Sequence, residues 1–87
     1  MIRVFVPTQL RSYTNGSSQA EAEGKTLSAA LDDLDRQYQG IKFRVIDEQE
    51  RIRPHMRIFL NGDRALALDL VTRDGDEIHI FGALSGG

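Results

Sequence analysis

Apolar and polar residues alternate with a period of two in three short segments of the chain. The alternating apolar positions are Ile2, Val4 and Val6, then Ile58 and Leu60, and finally Ile78 and Ile80. This period is typical of β-strands with one buried face, because successive side chains of a strand point to opposite sides of the sheet. Pro7 ends the first of them by removing an amide donor. The pattern therefore predicts a first strand over residues 1–6 and two later strands that expose a second set of side chains on the opposite face.

A period of three to four residues replaces this alternation in the middle of the chain. The recurring apolar residues are Leu27, Ala30, Leu31, Leu34 and Tyr38. Thr26 can cap the first helical turn, and Gly40 occupies a position where helices commonly end. The spacing predicts one amphipathic helix of about thirteen residues, which is enough to cover one face of a small sheet.

The remaining segments carry weaker signals. The sequences Asn15-Gly16, Asn61-Gly62 and Asp74-Gly75-Asp76 predict turns, in which glycine accepts positive φ and Asp or Asn binds backbone amides. The other expectations are a weak strand within 17–23, one or two helical turns over 41–46, a charged loop over 47–53, and a short strand or irregular crossing over 65–71 with Leu68 and Val71 in the core. Residues from Gly82 onward are expected to leave the sheet because they are small and flexible. The order indicates one α+β domain over 1–87, with 82–87 as a flexible C-terminal tail.

Composition narrows the function classes. The chain has 87 residues, 11 basic and 13 acidic side chains, a net charge of -2 and no cysteine. This balance argues against a nucleic-acid module, and the short apolar runs argue against a membrane span. The lack of cysteine and of a signal peptide favours a cytoplasmic location. His55 and His79 have no acidic neighbours at metal-ligand spacing, so we expect neither a metal site nor a catalytic role for them.

One stretch of the chain is locally basic. It contains Arg44, Arg51, Arg53 and Arg57. Contact with an anionic partner is one interpretation of this stretch. An ordinary solvated surface is the other, because Asp47, Glu48 and Glu50 are interleaved with the arginines.

The order of elements, Thr26 at the helix start, the turns at Asn61-Gly62 and Asp74-Gly75-Asp76-Glu77 and the final Gly86-Gly87 together resemble the ThiS/MoaD family of ubiquitin-like sulfur carriers over the whole chain. The resemblance implies a ubiquitin-like β-grasp fold, a mixed sheet of four to five strands around one main helix, with the first and last strands parallel at its centre. The segment from Val6 to Arg11 and the ending from Ala83 to Gly87 look most like the CysO-type carriers of cysteine synthesis. The MoaD-type small subunit of molybdopterin synthase is similar enough to compete.

The resemblance also implies a chemistry in which the chain is a protein substrate and not an enzyme. An E1-like adenylyltransferase of the MoeB/ThiF type would use ATP to adenylate the Gly87 carboxylate, and sulfide from a sulfur donor enzyme would then give a thiocarboxylate. Gly86 would let the end of the chain enter a narrow channel, since glycine has no Cβ. The client would be a pyridoxal-phosphate cysteine synthase or the molybdopterin synthase large subunit, and a metal-dependent tail protease would be a further partner. The carrier itself would bind no cofactor.

A protein presented to several enzymes needs a docking surface as well as a reactive end. If the alternating isoleucines, leucine and valines face the helix, Phe5, Phe59 and Phe81 point to the other face of the sheet. We therefore predict one apolar patch from these rings, rimmed by Arg3, Arg57 and His79. The alternative is that the rings pack beneath a loop or lie singly on the surface.

Two other functions stay open at this stage. One is a ubiquitin-like modifier that forms isopeptide bonds through Gly87, for which Lys25 and Lys42 are the chain's own lysines. The other is a β-grasp interaction domain whose final glycines have no reaction to perform.

Overall fold

A computed structural model describes residues 1–82 of the chain. Its helices and strands are β1 (Ile2–Phe5), β2 (Gln19–Ala22), α1 (Leu27–Gln37), α2 (Ile41–Val45), β3 (Met56–Leu60), β4 (Asp63–Arg64) and β5 (Glu77–Gly82). A 3-10 turn at Thr8–Leu10 follows β1. Among these residues, none of the helices has the length and apolar character that a membrane crossing requires.

The five strands form one mixed sheet in the order β2-β1-β5-β3-β4. The two central strands, β1 and β5, are parallel and place Val4 opposite Ile78. β2 and β3 flank them in antiparallel pairing. This architecture confirms the α+β ubiquitin-like β-grasp fold, including the predicted parallel pairing of the first and last strands.

The core lies between the sheet and α1, and its members follow the two predicted periods. From the sheet it contains Ile2, Val4, Val6, Met56, Ile58, Ile78 and Ile80, and from α1 it contains Leu27, Ala30, Leu31 and Leu34. Leu60 is partly buried and packs against the same cluster. The period-two and period-3.6 residues therefore meet as one apolar layer.

The expectation that Leu68 and Val71 both enter the core is only half right. Leu68 packs against the core, but Val71 is 65% exposed. Val71 pairs with Thr26 as an isolated bridge, and the carbonyl of Leu68 accepts a hydrogen bond from the Ser28 backbone at the start of α1. The segment is irregular and bends at Leu68, and the backbone groups of Leu70 and Thr72 on either side of Val71 are hydrogen-bonded to Leu27 and Lys25, which leaves the Val71 side chain outside the core.

The segment after α1 follows the predictions closely. α1 contains 11 residues, slightly fewer than expected, and Gly40 turns the chain with a φ of 97°. One carboxylate oxygen of Asp35 accepts the backbone N–H groups of Gly40 and Lys42, which joins α1 to α2. α2 confirms the predicted helical turns, and a loop organised by the Asp47 carboxylate follows it.

The turn at Asn61-Gly62 is also confirmed. Both residues have positive φ, 52° and 90°, which matches the right-handed twist of a tight β-hairpin. This hairpin sets β4 antiparallel to β3, with Arg64 opposite Phe59.

Gly82 departs from the prediction. It was expected to leave the sheet, but it is the last residue of β5 and pairs with Met56 of β3. Its carbonyl also accepts a hydrogen bond of 3.1 Å from the Gln9 side-chain amide. Gly82 is therefore a strand residue, and the rest of the predicted tail, residues 83–87, lies outside the described part of the chain.

The Thr26 cap of α1 should make a measurable contribution to stability. Its hydroxyl accepts the Ala29 backbone N–H at 3.1 Å. We expect Thr26→Ala to lower the free energy of unfolding by about 1 kcal/mol. Thr26→Ser should lower it much less, because serine keeps the capping hydroxyl. Urea unfolding followed by circular dichroism measures both, with Thr8→Ala at an exposed position as the control. Equal losses in the Ala and Ser variants would contradict the role of the hydroxyl.

The Gln9 contact should hold the end of β5 in place. Removing the donor in Gln9→Ala is expected to move the Gly82 carbonyl ¹³C resonance upfield, while global stability falls by no more than about 1 kcal/mol because the bond is at the surface. Gln49→Ala, in the distant loop, is the matched control. A Gly82 resonance that is the same in Gln9→Ala and in the unmodified chain would show that the bond does not form.

Candidate functional site

The open face of the sheet, opposite α1, carries a contiguous group of rings. We call Phe5, Phe59, His79 and Phe81 the aromatic face. Phe5 and His79 are stacked, with ring centroids 4.2 Å apart and planes 10° apart. Phe59 meets Phe81 edge to face at 5.5 Å, and the His79 and Phe81 rings are 6.2 Å apart. The predicted patch is therefore present as one surface, with rings in the arrangements that aromatic pairs prefer.

Strand register brings these rings together. His79 of the central strand β5 lies opposite Phe5 of β1 and also opposite Phe59 of β3. Phe81 follows two residues later on the same face of β5, opposite Arg57. The alternation that buries Ile78 and Ile80 therefore turns His79 and Phe81 outward.

His79 has a different place from the one predicted. It was expected on the rim of the patch, but it lies at the centre, between Phe5 and Phe59. The reason is the pairing just described, which joins strands far apart in the sequence. Its position makes the middle of the aromatic face polar and able to donate or accept a hydrogen bond.

The rim contains two arginines in different environments. Arg3 forms an ion pair of 2.6 Å with Glu77, whose other carboxylate oxygen is 3.4 Å from the His79 ring nitrogen. Arg57 donates to the backbone carbonyls of Pro54 and Met56. Glu77 is a member of the site that sequence reasoning missed. It lies two residues before His79, so the period of two could have placed it on this face.

The aromatic face remains accessible. Phe81 is 51% exposed, whereas Phe5 and Phe59 are half-buried. A shallow hollow of about 360 Å³ is lined by Phe59, Gly62, His79 and Phe81. A second groove, of about 530 Å³, runs from Phe5 and His79 past Pro7 and Gln9 to Gly82. The hollow and the groove share His79 and Phe81 as lining residues, and the groove extends to the end of β5.

Asn61 fastens the strands that carry this surface. Its side-chain NH₂ group donates to the Asp76 carboxylate at 3.0 Å, and its side-chain oxygen Oδ1 accepts a hydrogen bond from the Glu77 backbone N–H at 2.9 Å. The amide of Asn61 and the backbone N–H of Arg73 together hold the pKa of Asp76 below its usual value. The two turns therefore lock the start of β5 against the end of β3.

The described residues form no candidate metal centre. Within 1–82, no group of three or more His, Cys, Asp or Glu side chains is arranged to hold a metal ion. His55 and His79 are in separate parts of the structure, with His55 exposed before β3 and His79 within the aromatic face. The predicted reactive residues Gly86 and Gly87 lie outside the described residues. What the geometry provides is an exposed aromatic face on β5, the strand that precedes these two residues in the chain.

Comparison with known proteins gives full-length matches. The chain is 33% identical to "Sulfur carrier protein CysO" of Mycobacterium tuberculosis over 91 residues, which covers 99% of this chain and 98% of that protein. The matched chain in the crystal structure of the Amycolatopsis orientalis BexX/CysO complex superposes with a TM-score of 0.92 at 31% identity, covering all of both chains.

A third match is to SAMP1, a protein with a different name from the first two. The crystal structure of SAMP1 from Haloferax volcanii has a TM-score of 0.79 at 28% identity, and the similarity covers 99% of this chain and 98% of that one. The ThiS family model matches residues 4–87, a range that includes the aromatic face and both final glycines. The chain therefore belongs to the ThiS family.

Proposed function

We propose that this protein is a sulfur carrier for biosynthesis, and that cysteine is the product its sulfur reaches. The observation that supports this most directly is the similarity to CysO, which extends over nearly the whole of both proteins. The family match continues to Gly87, the residue whose carboxylate would carry the sulfur. A MoaD-type role in molybdopterin synthesis has no comparable match among the relatives described above.

Two partner steps would convert the Gly87 carboxylate. A carboxylate oxygen attacks the α-phosphorus of ATP on an E1-like adenylyltransferase, and pyrophosphate leaves. Sulfide delivered by a sulfur donor enzyme then attacks the acyl carbon, and AMP leaves with the displaced oxygen. Activation is needed because a free carboxylate repels nucleophiles and has no good leaving group, whereas an acyl adenylate loses AMP readily.

The carrier's part is recognition and presentation. Its aromatic face offers Phe81 as an exposed anchor beside half-buried rings, which is the composition of an interface core, and Arg57 gives a polar rim. The partner would supply ATP, the catalytic groups and the channel that receives Gly86 and Gly87. On this proposal the protein is a substrate of several enzymes and not an enzyme, in the cytoplasm where they act.

On this proposal, the client is a pyridoxal-phosphate cysteine synthase, and the CysO similarity supports this choice over a molybdopterin synthase. A thiocarboxylate sulfur is an exposed nucleophile that can attack an aminoacrylate held by a pyridoxal-phosphate cysteine synthase. A new carbon–sulfur bond then joins the carrier's terminus to the amino acid. A metal-dependent protease acting at the tail would add water to the acyl carbon and break its bond to sulfur, which releases the amino acid as a thiol and regenerates the Gly87 carboxylate.

The thiocarboxylate is directly observable. Incubation of the full chain with its activating enzyme, ATP and a sulfur donor should raise the intact mass by about 16 Da, the difference between sulfur and oxygen. Deletion of Gly87 should abolish the gain, because the remaining terminus is one residue too short for the catalytic centre. Absence of both adenylated and thiocarboxylated chain in the presence of the cognate enzyme would refute the proposal.

The aromatic face makes a separate prediction. Phe81→Ala should weaken binding to the activating enzyme by at least about tenfold, because truncating an interface anchor removes its buried contacts. Phe43→Ala is the matched control, since Phe43 is a phenylalanine of similar exposure, 55%, on α2 and away from this face. Isothermal titration calorimetry measures both affinities. Equal effects at the two positions would exclude the aromatic face as the docking surface while leaving the carrier chemistry intact.

The similarity to SAMP1, a small archaeal modifier protein, favours a second candidate function. As a modifier, the activated Gly87 would acylate a lysine amine, with loss of AMP and a proton. If the chain also modified itself, Lys25 would be the acceptor, because it is exposed. The Asp32 and Glu50 carboxylates bind the Lys42 ammonium at 2.5 and 3.5 Å and hold the pKa of Lys42 above its usual value. Mass spectrometry of proteins from cells distinguishes the two functions. Isopeptide links through Gly87 would support the modifier function, and the absence of such links would support the carrier function alone.

A further inference from the structure

A second concave surface lies along the edge of the sheet, next to β3. It is a groove of about 410 Å³ between the loop that precedes β3 and the segment that follows β4. We call it the arginine groove, after Arg51, Arg53, Arg57 and Arg64, which line it. The same groove has apolar walls formed by Ile52, Pro54, Leu66 and Leu68. The fold thus places Arg64 beside three arginines of the basic stretch and sets all four next to an apolar surface.

Two of these arginines are held in place by groups that carry no charge. Arg53 donates from Nε to the Phe43 carbonyl at 2.8 Å, and its guanidinium lies 4.6 Å from the centroid of the Phe43 ring. Arg57 donates to the Pro54 carbonyl at 2.6 Å and to the Met56 carbonyl at 3.0 Å. These contacts orient the guanidinium groups before any ligand arrives and use no carboxylate. In the described part of the chain, the one acidic group seen to act on them is the Asp47 carboxylate, whose pKa is held below its usual value first by the Arg51 backbone N–H and further by the charges of Arg53 and Arg51.

Counter-charges are correspondingly scarce. Across residues 1–82, no carboxylate lies within 4.0 Å of the Arg51, Arg53, Arg57 or Arg64 guanidinium groups. Glu50 lines the groove, but its carboxylate is 3.5 Å from the Lys42 ammonium. The groove is therefore positive on a chain whose net charge is -2.

The chemistry of the groove selects one kind of occupant. Guanidinium groups bind carboxylates through paired N–H donors. Leu66, which is 77% exposed, and its apolar neighbours offer a surface that a bare phosphate or a sugar–phosphate backbone would leave unused. A protein segment in which acidic and apolar side chains alternate satisfies both features, because it can present carboxylates and apolar groups together.

The groove is placed to act together with the aromatic face. Arg57 lies opposite Phe81, and Met56, another groove residue, lies opposite Gly82 at the end of β5. Arg57 belongs both to the groove and to the rim of the aromatic face, so the two surfaces adjoin at β3. We propose that the arginine groove is a second docking site, which binds an acidic, apolar segment of a partner protein. The proposal is independent of the sulfur-carrier function, because it uses no chemistry at Gly87.

The test uses the ¹⁵N-labelled full chain and a blocked peptide of six alternating Glu and Leu residues. At an ionic strength of about 20 mM, where exposed charges are weakly screened, the peptide should shift amide resonances within 51–57 and 64–68. A Lys–Leu peptide of the same length should cause no such shifts. Raising the salt about tenfold should weaken binding of the acidic peptide severalfold.

Charge reversal identifies the residues responsible. Combined Arg51→Glu and Arg64→Glu should weaken peptide binding by at least about tenfold, since both residues are exposed and their loss leaves the core unchanged. Arg73→Glu is the matched control at an exposed site outside the groove and should change the affinity less than twofold. A well-dispersed spectrum of each variant verifies the fold.

Three results would overturn the proposal. The first is an equal loss of affinity in Arg73→Glu, which would indicate binding by net charge alone. The second is a set of peptide-induced shifts confined to the aromatic face. The third is binding of pyrophosphate or of a thymidine oligonucleotide as tight as that of the acidic peptide, which would assign the groove to phosphate.

Discussion

The parallel pairing of β1 with β5 is the constraint on which the rest of this structure depends. It sets Val4 opposite Ile78 and Phe5 opposite His79. Because side chains alternate across a sheet, this one register sends the branched aliphatic residues to the helix and the rings to the open face. A slip by one residue would bury His79 and expose Ile78, so the buried layer and the aromatic face specify the same pairing.

The same pairing explains why a small domain can expose an aromatic face without losing its core. All the apolar strand residues needed for stability pack against α1, so the rings on the other face are available for a partner. Contacts among those rings, the Arg3–Glu77 ion pair and the Asn61–Asp76 hydrogen bond hold the open face in shape. A preorganised surface of this kind loses little side-chain entropy when a partner binds.

Local patterns predicted those features that depend on period and turn chemistry. The alternation around Ile78 located β5 and both its faces, and Thr26 located the start of α1. Features that require knowledge of register could not be obtained in this way. The central place of His79 depends on two pairings that local patterns do not contain, with Phe5 on β1, 74 residues earlier in the chain, and with Phe59 on β3, 20 residues earlier.

The same limit applies to single contacts and to composite surfaces. Gly82 stays in the sheet because Met56 and the Gln9 side chain meet it there, although glycine alone predicts departure. The arginine groove contains residues from both sides of the Asn61-Gly62 hairpin. Val71 is exposed because the residues next to it form backbone hydrogen bonds at the start of the helix. Each outcome is set by tertiary contacts that override a local preference.

On the proposed function, the folded domain, and not the terminal sequence alone, presents Gly87 to an activating enzyme. The most direct test compares the full chain with a synthetic peptide of residues 81–87 as substrates for adenylation, measured by pyrophosphate release. The account predicts that kcat/KM for the full chain exceeds that for the peptide by at least about a hundredfold, because the binding energy of the aromatic face is available only to the folded domain. Equal values of kcat/KM for the two substrates would contradict it.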